Sequence, residues 1–233
     1  MPIQWLIDYW ERVASLTLPF LVRRRVAIQQ VFGDKILYRR HGAKGLPDPR
    51  GWIEIDSVEE IKHWAYLHTY SFHPHLNGEK DVWFVMDIDG RNPRAFELVR
   101  LATWEMSKLL TRKKKKHLIK FSGNRGFHFM WSLGDITPNW LSLRKKIREY
   151  VRELEEILQK KYQAKFYAYL PKDKPILTTS STDRSLTKSI LVDEQIIHKN
   201  GMIRSPYSIH PETCLVSLPL KAGEILSFKP EMA

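Results

Sequence analysis

The chain has 233 residues, 43% of them hydrophobic and 27% charged, with 38 Lys and Arg against 26 Asp and Glu for a net charge of +12. That balance describes a globular chain long enough to bury a sizeable core, and its cationic surplus favours a polyanionic partner, nucleic acid before an anionic membrane because no basic amphipathic helix stands out. No apolar run approaches the ~20 residues that span a bilayer, the N-terminus has no secretory-signal pattern, and the single Cys214 excludes an intramolecular disulfide and a cysteine-rich zinc site.

Ile3, Leu6, Tyr9, Trp10, Val13, Leu16 and Leu18 approximate helical spacing and predict a helix over residues 3–22, with Pro19 marking its end or a turn. Val26–Phe32, the Gly33-Asp34 turn and Lys35–Arg40 predict a cationic hairpin. Its Arg24, Arg39 and Arg40 are candidates to face a nucleic-acid backbone; a solvated basic edge is the structural alternative. Residues 41–50 read as a Gly- and Pro-rich loop, and Trp52–Ile55 as a short strand. Ser57, followed three residues later by Glu60, marks the start of a helix that reaches about Tyr66. His73-Pro74-His75 reads as a loop with two ordinary polar histidines. A nickase pairing of those histidines with a tyrosine is disfavoured, because proline stands where such sites carry a bulky apolar residue.

The informative stretch is Val82–Trp131. The apolar run Val82–Met86 leads into Asp87-Ile88-Asp89-Gly90. Strand alternation turns Asp87 and Asp89 to the same side, where two carboxylates repel unless a hard divalent cation joins them. A helix is predicted over Pro93–Arg112, closed by Lys113–Lys116. The strand His117–Phe121 then opens into Ser122-Gly123-Asn124-Arg125-Gly126-Phe127-His128, whose small residues, guanidinium, hydroxyl and imidazole suit phosphate oxygens. Together these features predict a metal-plus-triphosphate site. Beyond it, the spacing predicts a helix over Trp140–Tyr162, a strand over Ala164–Leu170 and a polar irregular stretch over Pro171–Thr187. Ser189–Val192 reads as a strand ending at Asp193, and residues 202–220 as extended pieces around Pro206 and Pro211.

These residues resemble the archaeo-eukaryotic primase superfamily. Asp87-Ile88-Asp89 looks like its first motif, Ser122-Gly123-Asn124-Arg125-Gly126-Phe127-His128 like its Ser-Gly-x-Arg-Gly-x-His turn, and Asp193 like its third motif. Ile203-Arg204-Ser205-Pro206-Tyr207-Ser208-Ile209-His210-Pro211 is similar to the segment that follows in the small catalytic subunit of DNA primase. Lys35–His41 and Ile61–Pro74 look more like the polymerase domain of bacterial ligase D and its archaeal end-joining relatives.

The resemblance implies an α+β fold: one catalytic domain over 1–233, with an N-terminal α/β module at 1–80 and an RRM-like catalytic module at 81–233, its sheet flanked by helices. It implies template-dependent nucleotidyl transfer with two Mg2+ or Mn2+ ions on Asp87, Asp89 and Asp193; no zinc is expected, because the single Cys214 rules out the cysteine-rich knuckle usual in primase small subunits. Ser122, Gly123, Arg125, Gly126 and His128 would bind the triphosphate, and Arg204 and His210 would close over the nucleotide. The partners implied are a DNA template and primer with NTP or dNTP, plus a large primase subunit, a ligase or a helicase, and no membrane. The expected location is the cytoplasm, at the nucleoid. The leading expectation is a DNA primase or primase-polymerase. A gap-filling end-joining polymerase is the first alternative, and a noncatalytic nucleic-acid-binding subunit the second.

Overall fold

In a computed structural model, residues 3–42, 51–91, 95–186 and 189–233 are described. The first apolar stripe forms helix α1 (Ile3–Thr17), which buries Leu6, Ile7, Trp10 and Ala14. Pro19 sits in the 3-10 turn Leu18–Phe20 that follows, where its missing N–H costs no helical bond. Strands β1 (Arg25–Phe32) and β2 (Lys35–Arg39) pair antiparallel as the hairpin pattern predicts. A short strand β3 (Ile53–Glu54) and strand β4 (Thr69–Pro74) also pair with β1. Between them, α2 (Val58–Tyr66) starts at the expected capping box, with Glu60 N donating to Ser57 Oγ and Ser57 N to Glu60 Oε2. A core of α1, α2, β1 and β4 side chains fills this first sheet, with Trp10, Ile28, Ile61 and Phe72 at its centre.

The second sheet has six strands in the order β10-β6-β7-β5-β9-β8. They are β5 (Trp83–Asp89), β6 (Leu118–Phe121), β7 (Gly126–Ser132), β8 (Leu177–Thr178), β9 (Ile190–Asp193) and β10 (Pro219–Leu220). Helices α3 (Phe96–Arg112) and α4 (Trp140–Tyr167) contribute to one core with it, in which Phe84 stacks on Trp131 and both meet Tyr150 of α4 edge-on. Alternation therefore assigns Phe84, Met86 and Ile88 to the helix side of β5 and Asp87 and Asp89 to the other. Among the described residues no helix is long and apolar enough to cross a membrane.

Two expectations differ from what is found. Residues 164–167 are the end of α4 rather than a strand: after a kink at Tyr162 the chain resumes helical bonding, with Ala168 N donating to Ala164 O and Leu170 N to Phe166 O. Local bonds satisfy the backbone there, and Phe166 and Leu170 go into the core. The stretch Pro171–Thr187 is not wholly irregular, since β8 pairs parallel with β9 and the Glu155 carboxylate accepts from Ile176 N and Leu177 N. The loop read over 41–50 and the helix start at Pro93 fall largely outside the described residues.

The segment 201–219 stitches the sheets together. Leu76 N donates to Gly201 O, Ile203 N to Pro74 O, Ser205 N to Phe72 O and Ile209 N to Tyr70 O, which satisfies β4 on the side away from β1. The chain then crosses to β6, where Phe121 N donates to Leu218 O.

Arg24 is a second seam, and here the expectation of a nucleic-acid contact is corrected. The side chain is 5% exposed. Its Nη1 donates to His75 O and Leu76 O, its Nη2 to Asp81 O and Asp81 Oδ2 at 2.9 Å, and its guanidinium lies 3.5 Å from the Trp83 ring centroid. A buried guanidinium bonded in this way is not available to a phosphate. Arg24→Ala is expected to cost about 3 kcal/mol or more of stability, because it leaves buried carbonyls unpaired. Arg24→Lys should not restore it, since a single ammonium cannot reproduce the fork. Urea unfolding of the two variants beside the parent, with DNA affinity measured in parallel and expected unchanged, checks this.

Candidate active site

The site is a row of side chains running across the second sheet. In register, Lys120 on β6 is opposite His128 on β7, His128 is opposite Asp87 on β5, and Asp87 is opposite Asp193 on β9. Directly opposed residues share a face, so one sheet face carries a lysine, a histidine and two carboxylates in sequence. The next pair along is Asp89 and Gly126. Glycine is required there: a Cβ on Gly126 would sit 2.2 Å from Ile88 O. The close approach holds the phosphate-type turn against the strand that carries both aspartates.

The turn is built from its own polar atoms. Ser122 Oγ accepts from Asn124 N and Gly126 N, each at 3.2 Å, and Ser122 N donates to Gly126 O. The Gly126 N–H, expected to meet phosphate, is therefore used inside the turn. Gly123 takes φ +89°, and a Cβ there would press within 3.0 Å of His210 Cβ. Thr213 Oγ1 donates to Gly123 O.

The segment 201–217 brings in the expected Arg204 and His210. Arg204 Nη1 donates to Ser122 O at 2.9 Å, its Nε to Ser71 Oγ at 3.0 Å and its Nη2 to Gln29 Oε1 at 3.2 Å. Arg204 thus joins β1, β4 and the turn. Burial brings its pKa down to about 10. His210 Nδ1 accepts from Glu212 N and Thr213 N. Of the hairpin cations, Arg39 is half-buried and Arg40 exposed, with the Arg40 guanidinium 5.6 Å from the Tyr38 ring centroid.

Three residues are placed otherwise than the sequence suggests. His73 is on β4, not in a loop, with Nε2 2.8 Å from Ser71 Oγ and 3.1 Å from Gln29 Oε1. His75 is buried edge-on against Trp52. Lys120 lies in an apolar run yet is fully buried on the site's face, donating to Ser217 Oγ at 2.8 Å and contacting His128 Nδ1. Its one available signal was its place two residues before Ser122, where strand alternation puts it on the face of the turn's hydroxyl.

The electrostatics follow from crowding. His128 Nε2 lies 3.3 Å from Asp87 Oδ1, and Arg125 Nη2 donates to Asp89 Oδ2 at 3.1 Å. Burial raises Asp87, but His128, Lys120 and Arg204 outweigh it and leave the carboxyl below its usual range. Asp89 is pushed up to about 6 by burial and then by the negative charge of Asp87, and Asp193 is raised by burial with Asp87 adding to it. Asp87 is turned onto His128 and Asp89 onto Arg125, so among the described residues no three His, Cys, Asp or Glu side chains are gathered as a metal-ligand group. The donor chemistry nonetheless fits a hard divalent cation. These are oxygen donors on one face, with the Asp89 and Asp193 carboxyls raised by burial and by the charge of Asp87. Among the described residues Arg125 Nε is buried with no hydrogen-bond partner, while the rest of the guanidinium is partly exposed beside the carboxylates and suits a phosphate oxygen.

The model of the LigD primase-polymerase domain family matches residues 4–233, which include all three aspartates, the turn and the 203–211 segment. The chain belongs to this family. It is a family of nucleotidyltransferases, and the resemblance to the ligase D polymerase domain extends to the fold. The polymerase domain of Mycobacterium tuberculosis ligase D, solved in complex with DNA, superposes with a TM-score of 0.72 at 17% identity, over 96% of this chain and 82% of that one. None of the curated proteins compared with it matches. In this LigD-family chain the α+β architecture expected from sequence, helices flanking a site-bearing sheet, is the one observed.

The buried imidazoles set a pH response. Burial brings His75, His128 and His210 down to about 4 and His73 well below 6.5, whereas the unfolded chain takes up these protons near 6.5. The unfolded state therefore binds more protons as the pH falls from about 6.5 to about 4, and stability falls with it. Asp89 and Asp193, with raised pKa, act in the opposite direction but are fewer. Urea midpoints in chelator should drop progressively between about pH 6.5 and about 4; a flat profile would contradict the burial of these rings.

Proposed function

We propose that the chain is a template-dependent polymerase that extends a primer with NTPs or dNTPs to fill gaps at DNA ends. The observation that carries this reading is the family match over residues 4–233, which takes in every residue of the catalytic row from Asp87 to Asp193. The primase reading of the sequence becomes the alternative, because the match is to the ligase D branch. Intact Asp87, Asp89 and Asp193 speak against a noncatalytic subunit.

Asp87, Asp89 and Asp193 would hold Mg2+ or Mn2+, which when bound stabilise the attacking and leaving oxygens of an in-line displacement. The remaining work is positioning and electrostatics. Arg125 offers the exposed part of its guanidinium to the triphosphate while its Nη2 restrains Asp89. Arg204 holds the turn through the Ser122 carbonyl and sets the wall made by β1 and β4. Arg39 at the end of β2 and Arg40 just after it provide charge for a nucleic-acid backbone, and a ligase is the partner the family suggests.

Incubated with a gapped duplex, Mn2+ and labelled nucleotides, the protein should extend the primer and give no product without one. Product on unprimed template would return it to the primases. DNA binding with no product under any condition would make it a noncatalytic subunit. Asp87→Ala should reduce incorporation to background and leave DNA affinity in a filter or anisotropy titration unchanged, since the basic surface is untouched. Persistent extension by Asp87→Ala would remove Asp87 from the metal set.

A further inference from the structure

We propose that Lys120 is a positioning residue that locks His128 in one tautomer and, through it, fixes the orientation of Asp87. This deepens the polymerase reading and rests on it for its link to catalysis.

Lys120 is 0% exposed and is the one buried lysine among the described residues. A side chain with no exposure cannot touch a nucleotide, so any role it has in the reaction acts through its neighbours. Burying an amine is costly unless its donors are matched, and in a strand flanked by Ile119 and Phe121 an apolar residue would be the cheaper choice. Both groups it meets are neutral oxygen or nitrogen acceptors: Ser217 Oγ at 2.8 Å and His128 Nδ1. Ser217 Oγ passes its own proton to Phe121 O at 3.0 Å, so it can only accept from the lysine.

The tautomer of His128 follows from what lies on each side of the ring. Nε2 lies 3.3 Å from Asp87 Oδ1, an acceptor with no proton to give. The ring proton therefore belongs on Nε2, which leaves Nδ1 as an acceptor, and the Lys120 N–H fills that role. The chain of donors runs from Lys120 on β6 through His128 on β7 to Asp87 on β5, one residue per strand in register. With the ring clamped at both nitrogens, Asp87 presents a fixed carboxylate.

Lys120→Met tests this, because methionine nearly matches the lysine stem in volume and suits a buried site. Ring 15N shifts of His128, read without nucleotide or DNA, should show the Nε2–H form alone in the parent and a mixture of both tautomers in the variant. Mn2+ binding followed by electron paramagnetic resonance should weaken about tenfold, in line with lost outer-shell support of a ligand. The nucleotide KM and the DNA Kd should stay within about twofold of the parent while kcat falls by the same order. Ser217→Ala, which removes the other anchor of the lysine, should act in the same direction and decides the matter if Lys120→Met does not fold. An unchanged tautomer in the folded variant overturns the lock. A mixed tautomer with unchanged Mn2+ binding overturns its transmission to Asp87. Because the tautomer and Mn2+ measurements need no turnover, they stand even if the parent incorporates no nucleotide, an outcome that would count against the polymerase reading alone.

Discussion

The structure depends on the register of β5 between β7 and β9. That pairing puts Asp87 opposite both His128 and Asp193, and Asp89 opposite Gly126. A slip of one residue would turn both aspartates toward the helices and bring Met86 and Ile88 to the site. Two features pin the register. The helix-side residues of β5 belong to a core already filled by Trp131 and Phe127 of β7 and by Tyr150 of α4. The Gly126 backbone lies so near Ile88 O that no other residue fits there.

On the other face, several buried polar groups are paired with one another. Lys120 is balanced by Ser217 and His128, His128 by Asp87, and Asp89 by Arg125. Arg204 is shared among Ser71, Gln29 and the turn. A buried polar network of this kind is stabilising only when complete, so each member constrains the next. The raised pKa of Asp89 and Asp193 comes first from burial and then from the charge of Asp87 on the same face.

The return segment 201–219 makes the first sheet part of the site. It pairs with β4, then with β6, and carries Arg204 and His210 between the two sheets. Arg24, buried at the opposite end of the junction, ties β1 to the chain entering β5 through His75 O, Leu76 O and Asp81. The position of the Lys120–His128–Asp87–Asp193 row relative to β1 and β4 is therefore set by backbone pairing and one buried guanidinium.

Much of this was legible in the sequence, for reasons of period and local chemistry. Helix spacing located α1, α3 and most of α4, the Ser57–Glu60 pair marked the start of α2, and strand alternation placed Asp87 and Asp89 on one face. The turn residues 122–128 and the order of the motifs pointed to the family. Other features depended on partners distant in sequence. Lys120 reads as one cation at the end of an apolar run until β7 and Ser217 are brought beside it, 8 and 97 residues away. Arg24 reads as one of three surface arginines until Asp81 and Trp83 enclose it. His73 reads as a loop residue until β1 pairs with β4. The stretch after Tyr162 could form a strand or another helical turn by composition alone, and packing of Phe166 and Leu170 into the core decided for the turn. Sequence determined which chemistry the chain carries, because periodicity and motif spacing are local. Tertiary structure decided which of its cations are buried and paired, because burial and pairing depend on contacts between residues far apart in the chain.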